Sequence, residues 1–297
     1  MKAVDTGTRV NLKSILFLTD FSQPSEAALP FAIAIAREFA ATIHALHVLI
    51  PQPYLYMTPQ TIPVAIEAQE ENAQAEMQRV EAQLTDVPHD VTVVRGVDIW
   101  SALEHAIARC SADLIVLGTH GRTGAEKLLL GSTAEEIFRQ ARVPVLTIGP
   151  AVRNGIHNAA RFNRVLFATD FSAESLAATR FAVSLAEENQ ARLVLLHVIR
   201  DLGSEAKLSP EADSVANVMY RLYGLVPKDA ELWCRPEAVV EYGEPAERIL
   251  EAAKQRGADL IVMGVRHGRL GTATHLERSV AHKVVAHATC PVLTVRG

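Results

Sequence analysis

The sequence predicts an α/β protein built from two tandem doubly wound domains, each a five-stranded parallel sheet with helices on both faces. Three observations predict it. Short, wholly apolar runs of four or five residues end at turn residues, the mark of strands buried on both faces. Between them lie stretches with apolar residues at i, i+3, i+4 and i+7, the spacing of helices that cover such a sheet. The second half of the chain repeats the first. Val165-Leu166-Phe167-Ala168-Thr169-Asp170-Phe171-Ser172 matches Ile15-Leu16-Phe17-Leu18-Thr19-Asp20-Phe21-Ser22 at an offset of 150 (170 − 20), and His197-Val198 matches His47-Val48 at the same offset. Ala112 to Gly118 recurs as Ala258 to Gly264, and Val143-Pro144-Val145-Leu146-Thr147 as Cys290-Pro291-Val292-Leu293-Thr294. A period of this length is a tandem domain duplication.

The elements follow in order. Met1 to Leu12 is polar and aperiodic, so a loose leader is expected. Ser14 to Leu18 is a buried strand ending in Thr19-Asp20-Phe21-Ser22. Ser22 and Pro24 are start signals for a helix whose stripe is Leu29, Ala32, Ile33 and Ala36. Ala45 to Leu49 is the next strand. Pro51 to Pro63, with four prolines and two tyrosines, is a surface connection or a lid over a crevice. Ala65 to Leu84 is a charged, solvated helix. Leu103, Ala106, Ile107 and Cys110 mark another helix, and Ala246, Ile249, Leu250 and Ala253 repeat it. Asp113 to Leu117 is a strand that stops at Gly118. After a glycine-bearing stretch, Ala134, Ile137, Phe138 and Ala141 give a helix, and Pro144 opens the last strand, Val145 to Ile148. The join lies in Gly149 to Phe162. The expected domains are residues 1–150 and 161–297.

The 297 residues suffice for two such cores. A formal net charge of −5 argues against a nucleic-acid footprint, which needs a basic face. Cys110, Cys234 and Cys290 are an odd, widely spaced set; they read as reduced thiols rather than a disulfide frame or a zinc site. No apolar stretch approaches membrane-spanning length, and the N-terminal apolar run is too short for a secretory signal. A cytoplasmic protein is expected.

The stretch from Gly118 to Thr133 carries the chemistry. Glycines let backbone N–H groups approach a ligand, and Gly131-Ser132 falls where a helix starts, a place that favours anions. Arg122 and Lys127 lie between the glycines as candidate cations. The stretch is neither a P-loop nor a Rossmann fingerprint. Structural roles compete: Ser132 with Glu135 has the spacing of a capping box, and Gly118 can simply end a strand. In doubly wound sheets ligands sit outside the carboxyl ends of the strands at the topological switch point. If the first and fourth strands are neighbours there, Thr19-Asp20 and Gly118 to Gly121 share one crevice.

These residues resemble the universal stress protein family, in a tandem two-domain form, from about Asn11 to the C-terminus. The telling spacing is G-x2-G-x9-G-S: Gly118, Gly121, Gly131, Ser132, joined by Thr19-Asp20. The resemblance implies an adenine-nucleotide alpha-hydrolase-like fold of strand order 3-2-1-4-5. It implies ATP, with or without Mg, as ligand. It places Asp20 with Thr19 at the adenine, Val48 against the base, and Gly118, His120 and Gly121 along ribose and phosphates; Arg122 stays a candidate cation beside them. Gly131, Ser132 and Thr133 would cradle phosphate. It also implies pairing of the last strands of the two halves, an intramolecular pseudo-dimer; a further homodimer is an open possibility.

The second half departs from that pattern. Gly264 and Gly268 are one residue further apart than Gly118 and Gly121, and at an offset of 147 (291 − 144) Gly131 becomes Arg278, with Glu277 before it and Ser279 after it. Asp170 and Val198 are kept, which leaves open an adenine pocket without a polyphosphate cradle. The expectation is one tight nucleotide, in the N-terminal half. The histidines His267, His275, His282 and His287 lack metal-ligand spacing, so no metal site is expected. Asp20 and Asp170 follow first strands as in phosphoacceptor receivers, but without an adjacent acidic pair. No catalytic constellation is evident. Three functions remain: a nucleotide-binding sensor or regulator with an unidentified protein partner, a slow ATP hydrolase or phosphotransfer enzyme, and a ligand-free interaction scaffold.

Overall fold

The computed structural model describes residues 9–50, 62–119, 131–152, 161–200, 214–227, 234, 236–265 and 279–297. The first half runs β1 (Ser14–Leu18), α1 (Gln23–Phe39), β2 (Thr42–Leu49), α2 (Ile62–Glu81), β3 (His89–Arg95), α3 (Ile99–Cys110), β4 (Leu114–Gly118), α4 (Ser132–Gln140) and β5 (Val145–Ile148). The second half runs β6 (Arg164–Ala168), α5 (Ala173–Ala177), α6 (Thr179–Asn189), β7 (Arg192–Ile199), α7 (Val215–Tyr223), β8 (Glu237–Tyr242), α8 (Pro245–Arg256), β9 (Leu260–Val265), α9 (Val280–His287) and β10 (Val292–Arg296). The helix expected at 65–84 thus spans 62–81, and the strand expected from Ala45 begins at Thr42.

Strand order within the first half is β3-β2-β1-β4-β5, and β10-β9-β6-β7-β8 completes one ten-stranded sheet. All pairs are parallel except β5 with β10, which run antiparallel with Leu146 opposite Leu293. Alternate residues of each strand face opposite layers. Ile15 and Phe17 of β1 belong to the core layer that also takes in residues of α1, α2, α6 and α7; Leu16 belongs to the opposite layer, with residues of α3, α4, α8 and α9. Each fully buried side chain of this size contributes about 1.5–3 kcal/mol of apolar transfer, so both layers weld the halves together.

A carboxylate fixes the start of the central strand in each half. Asp113 accepts from the N–H groups of Lys13 and Ser14 at 2.8 and 3.0 Å, and Asp259 accepts from Asn163 and Arg164 at 2.8 and 2.9 Å. The expected loose leader is not loose from Arg9 onward. Arg9 pairs with Glu187 at 2.8 Å, the Val10 N–H donates to Ser184 Oγ at 2.9 Å, and Leu12 is buried. These residues bridge to α6, a tertiary contact that their polar sequence does not announce.

The counterpart of α1 is broken. Between α5 and α6, the Ala178 N–H donates to Ser175 O at 3.1 Å, a tight turn. Nothing in the described contacts explains why this break has no equivalent in the first half.

Candidate functional site

The order of the sheet reverses between β1 and β4, which pair directly with Leu18 opposite Leu117. Just beyond both strand ends the structure has a crevice of about 200 Å³. Thr19, Asp20, Val48, Gly118, Gly131 and Thr133 all line it. The structure therefore brings together six of the ten expected site residues. Ser132 opens α4 beside them. His120, Gly121 and Arg122 lie outside the described residues, as do Lys127, most of the Pro51–Pro63 stretch, and Glu277 and Arg278 of the second half.

The Thr19-Asp20 turn is tightly built. Thr19 N–H donates to Leu46 O at 3.1 Å, and Thr19 Oγ1 accepts from the Phe21 N–H at 3.0 Å. Asp20 Oδ1 accepts from both the N–H and the hydroxyl of Ser22. Phe21 sits at φ +60°, a left-handed conformation that costs a non-glycine residue about 1–2 kcal/mol. Its ring stacks on His47 with centroids 4.3 Å apart, and His47 Nδ1 lies 2.8 Å from Thr19 O. A carbonyl can only accept, so that Nδ1 carries a hydrogen and donates. The arrangement recurs in the second half: Phe171 at φ +57°, centroids 4.8 Å from His197, and His197 Nδ1 2.8 Å from Thr169 O.

The opposite wall is the start of α4, and here the capping-box expectation fails. The N-cap is Gly131, with no side-chain cap bond, and Ser132 is already helical. The Gly131 N–H donates to Thr119 O at 2.8 Å, so in this structure that amide faces the chain. The first intrahelical bond is Glu135 N–H to Gly131 O at 2.9 Å. The N–H groups of residues 132 to 134 therefore belong to the first turn, where helix geometry leaves donors without an intrahelical acceptor. They and the positive end of the helix dipole suit an anion. In the second half Ser279 itself is the N-cap of α9, accepting from the His282 N–H at 3.2 Å.

Gly118 lines the crevice, but its lack of a Cβ serves packing. A Cβ there would lie 2.3 Å from Pro24 O and 2.7 Å from Ser25 N. Gly264 is in the same position against Glu174 and Ser175. Sequence reasoning missed Ser25, His47, Ile99, Leu103 and Ile137 as lining residues. His47 was visible as a repeated His-Val pair; the others carried no signal beyond apolar or capping spacing. The second crevice, at the ends of β6, β7 and β9, is larger, about 500 Å³. Among the described residues, no group of three or more histidine, cysteine, aspartate or glutamate side chains could hold a metal ion, and no helix is long and apolar enough to cross a membrane.

A model of the universal stress protein family matches residues 11–149 and again 161–296. The chain belongs to the universal stress protein family. A universal stress protein of Mycolicibacterium smegmatis is 32% identical over 293 residues, covering 95% of this chain and 96% of the relative. Universal stress protein YxiE of Bacillus subtilis is 39% identical over 148 residues, covering 46% of this chain and 99% of its own length, as a one-domain relative would. The crystal structure of a universal stress protein from Archaeoglobus fulgidus superposes with a TM-score of 0.69 at 24% identity, covering 95% of this chain and 96% of that one. That likeness shows that the two chains share one fold over 95% of this chain.

Proposed function

We propose that the chain binds an adenine nucleotide in the crevice between β1 and β4 and acts in a stress response as a sensor or regulator, in the cytoplasm. One observation carries this reading: the Thr19-Asp20 turn and the first turn of α4 face each other across a single crevice at the switch point, with Val48 on its wall. The carboxylate of Asp20 suits a base that presents an exocyclic amine. The amides of residues 132 to 134 suit phosphate oxygens, with Mg as a counterion where a triphosphate is bound. A cavity of about 200 Å³ suits the base and sugar; the phosphates would extend along the α4 end. Ligand and partner would be linked through conformation: nucleotide regulates a partner only if it binds two states with different affinity.

Slow ATP hydrolysis is the second reading. Asp20 already accepts two bonds from Ser22 and belongs to the base end, so it is poorly suited to orient water at a γ-phosphate. We expect hydrolysis to be slow at most. The test is to denature purified protein, chromatograph any released small molecule, and titrate ATP, ADP and AMP by calorimetry. Asp20→Ala should weaken all three at least tenfold, and Gly131→Arg should weaken ATP more than AMP. Wild-type affinity in the Asp20→Ala protein would remove the reading.

A further inference from the structure

We propose that Arg200 gives the second crevice the opposite base preference: it takes a 6-oxopurine nucleotide, of the guanine or hypoxanthine class, rather than adenine. The proposal rests on the nucleotide-site reading of the first crevice, carried to the second by the plan they share. It concerns which base, and only in the second half.

The two crevices share a plan and differ at one edge. Asp20 and Asp170 occupy the same place after β1 and β6, each with Oδ1 accepting from the following serine. Val48 and Val198 line the same wall. At the offset of 150 (200 − 50), however, Ile50 becomes Arg200. Ile50 does not line the first crevice among the described residues, whereas Arg200 lines the second. Among those residues Arg200 is exposed and makes no hydrogen bond or ion pair. Arg200 thus lines, without a fixed partner among the described residues, a crevice of about 500 Å³, within the range of about 300–1,000 Å³ usual for ligand pockets.

Strand register says which end of the ligand it meets. β6 and β7 are neighbours with Ala168 opposite Leu196, so Asp170 and Arg200 follow adjacent strands that lie about 4.8 Å apart. Ser279 and the start of α9 follow β9, on the other side of β6. The anion-favouring helix end and Arg200 thus lie at opposite ends of the crevice, and Arg200 is at the base end with Asp170. The Asp170 turn is braced further by Arg221, whose guanidinium stacks 3.7 Å from the Phe171 ring centroid.

The hydrogen-bond inventory then decides the base. Arginine has donors and no acceptor. Adenine offers an exocyclic amine donor at C6, which a lone carboxylate satisfies and a guanidinium does not. A 6-oxopurine offers O6 and N7 as acceptors, the pair to which arginine commonly binds in bidentate fashion. Its N1–H, and in guanine the 2-amino group, are donors for a carboxylate. A carboxylate alone accepts from either base; the donor fork beside it is what favours guanine or hypoxanthine, whose O6 accepts, over adenine, whose C6 amine does not.

The experiment uses the full chain and measures GMP, IMP, AMP and ATP by calorimetry in wild type, Arg200→Ile, Arg200→Lys and Asp20→Ala, with thermal melts as the folding control. GMP and IMP should bind at least tenfold tighter than AMP at a site that Asp20→Ala leaves intact. Arg200→Ile, which installs the first-half residue, should erase that preference while leaving ATP binding at the first crevice unchanged. Arg200→Lys, which lacks the fork, should lose most of it, and is the variant read if Arg200→Ile fails to fold. Equal affinity for AMP and GMP, a preference that survives both substitutions, or a uniform loss of all four nucleotides on Arg200→Ile would overturn the proposal. The adenine reading of the first crevice stands or falls separately, on the ATP titration of Asp20→Ala.

Discussion

Phe21 and Phe171 each adopt a left-handed conformation that an aromatic residue rarely takes, and both are held there by a histidine ring and the neighbouring threonine. Strain repeated in both halves, next to the same aspartate, marks a turn whose shape matters more than its local cost. Gly118 makes a different point. Its place in a glycine-rich stretch reads as ligand approach, yet the space a Cβ would need is occupied by the backbone of Pro24 and Ser25. Backbone cannot step aside as a side-chain tip can. Gly118→Ala should therefore destabilise the protein by about 1–3 kcal/mol as an overpacking change, seen as a lower urea midpoint in ligand-free protein. An unchanged midpoint would show that α1 shifts freely, and the glycine's role would then be sought at the ligand.

At the level of elements, the starts of α4 and α9 differ despite their common ancestry in the repeat. Gly131 caps α4 without a side chain, whereas Ser279 caps α9 through its hydroxyl. Losing a serine cap costs about 1 kcal/mol. Ser279→Ala should lower stability by about that amount, while Ser132→Ala, one residue inside its helix, should change it by a few tenths at most. Chemical denaturation of the two variants side by side separates them; equal losses would restore the capping box at Ser132. The pattern Ser-x-x-Glu is blind to this distinction, because it records spacing and not which residue leaves helical geometry first.

For the molecule as a whole, the interface between the halves carries a titratable group. Asn189 Nδ2 donates to Glu38 Oε1 at 2.6 Å, joining α1 to α6. Burial pushes the Glu38 carboxyl above its ordinary value of 4.5; the Asn189 bond opposes this, nearby Glu188 adds to it and Arg161 opposes it. A carboxyl whose folded pKa is raised stabilises the fold when protonated. That contribution is complete below the unfolded pKa and is lost as pH rises through the folded value. Glu38→Gln keeps an acceptor for Asn189 and removes the charge. The variant should match wild type at pH 4 and become the more stable of the two as pH rises to 7, read as a widening gap in melting temperature. A gap that is constant with pH would mean that the interface tolerates the charge at no cost.

Much of this architecture was legible in the chain. Apolar runs such as Ile15 to Leu18 and Leu114 to Leu117 can only be buried strands, and the repeat at offsets of 150 and 147 fixes two equivalent units. The site was legible in part, because Thr19-Asp20 and Gly131 are polar or Cβ-free breaks at strand and helix ends. Three features were decided only in three dimensions: the packing role of Gly118, the bond from Gly131 to Thr119, and the docking of Arg9 to Leu12 on α6. Each depends on contacts between residues far apart in sequence or on backbone conformation that composition does not encode. Periodicity reports which face of an element is buried, whereas only the folded chain determines which atoms meet there.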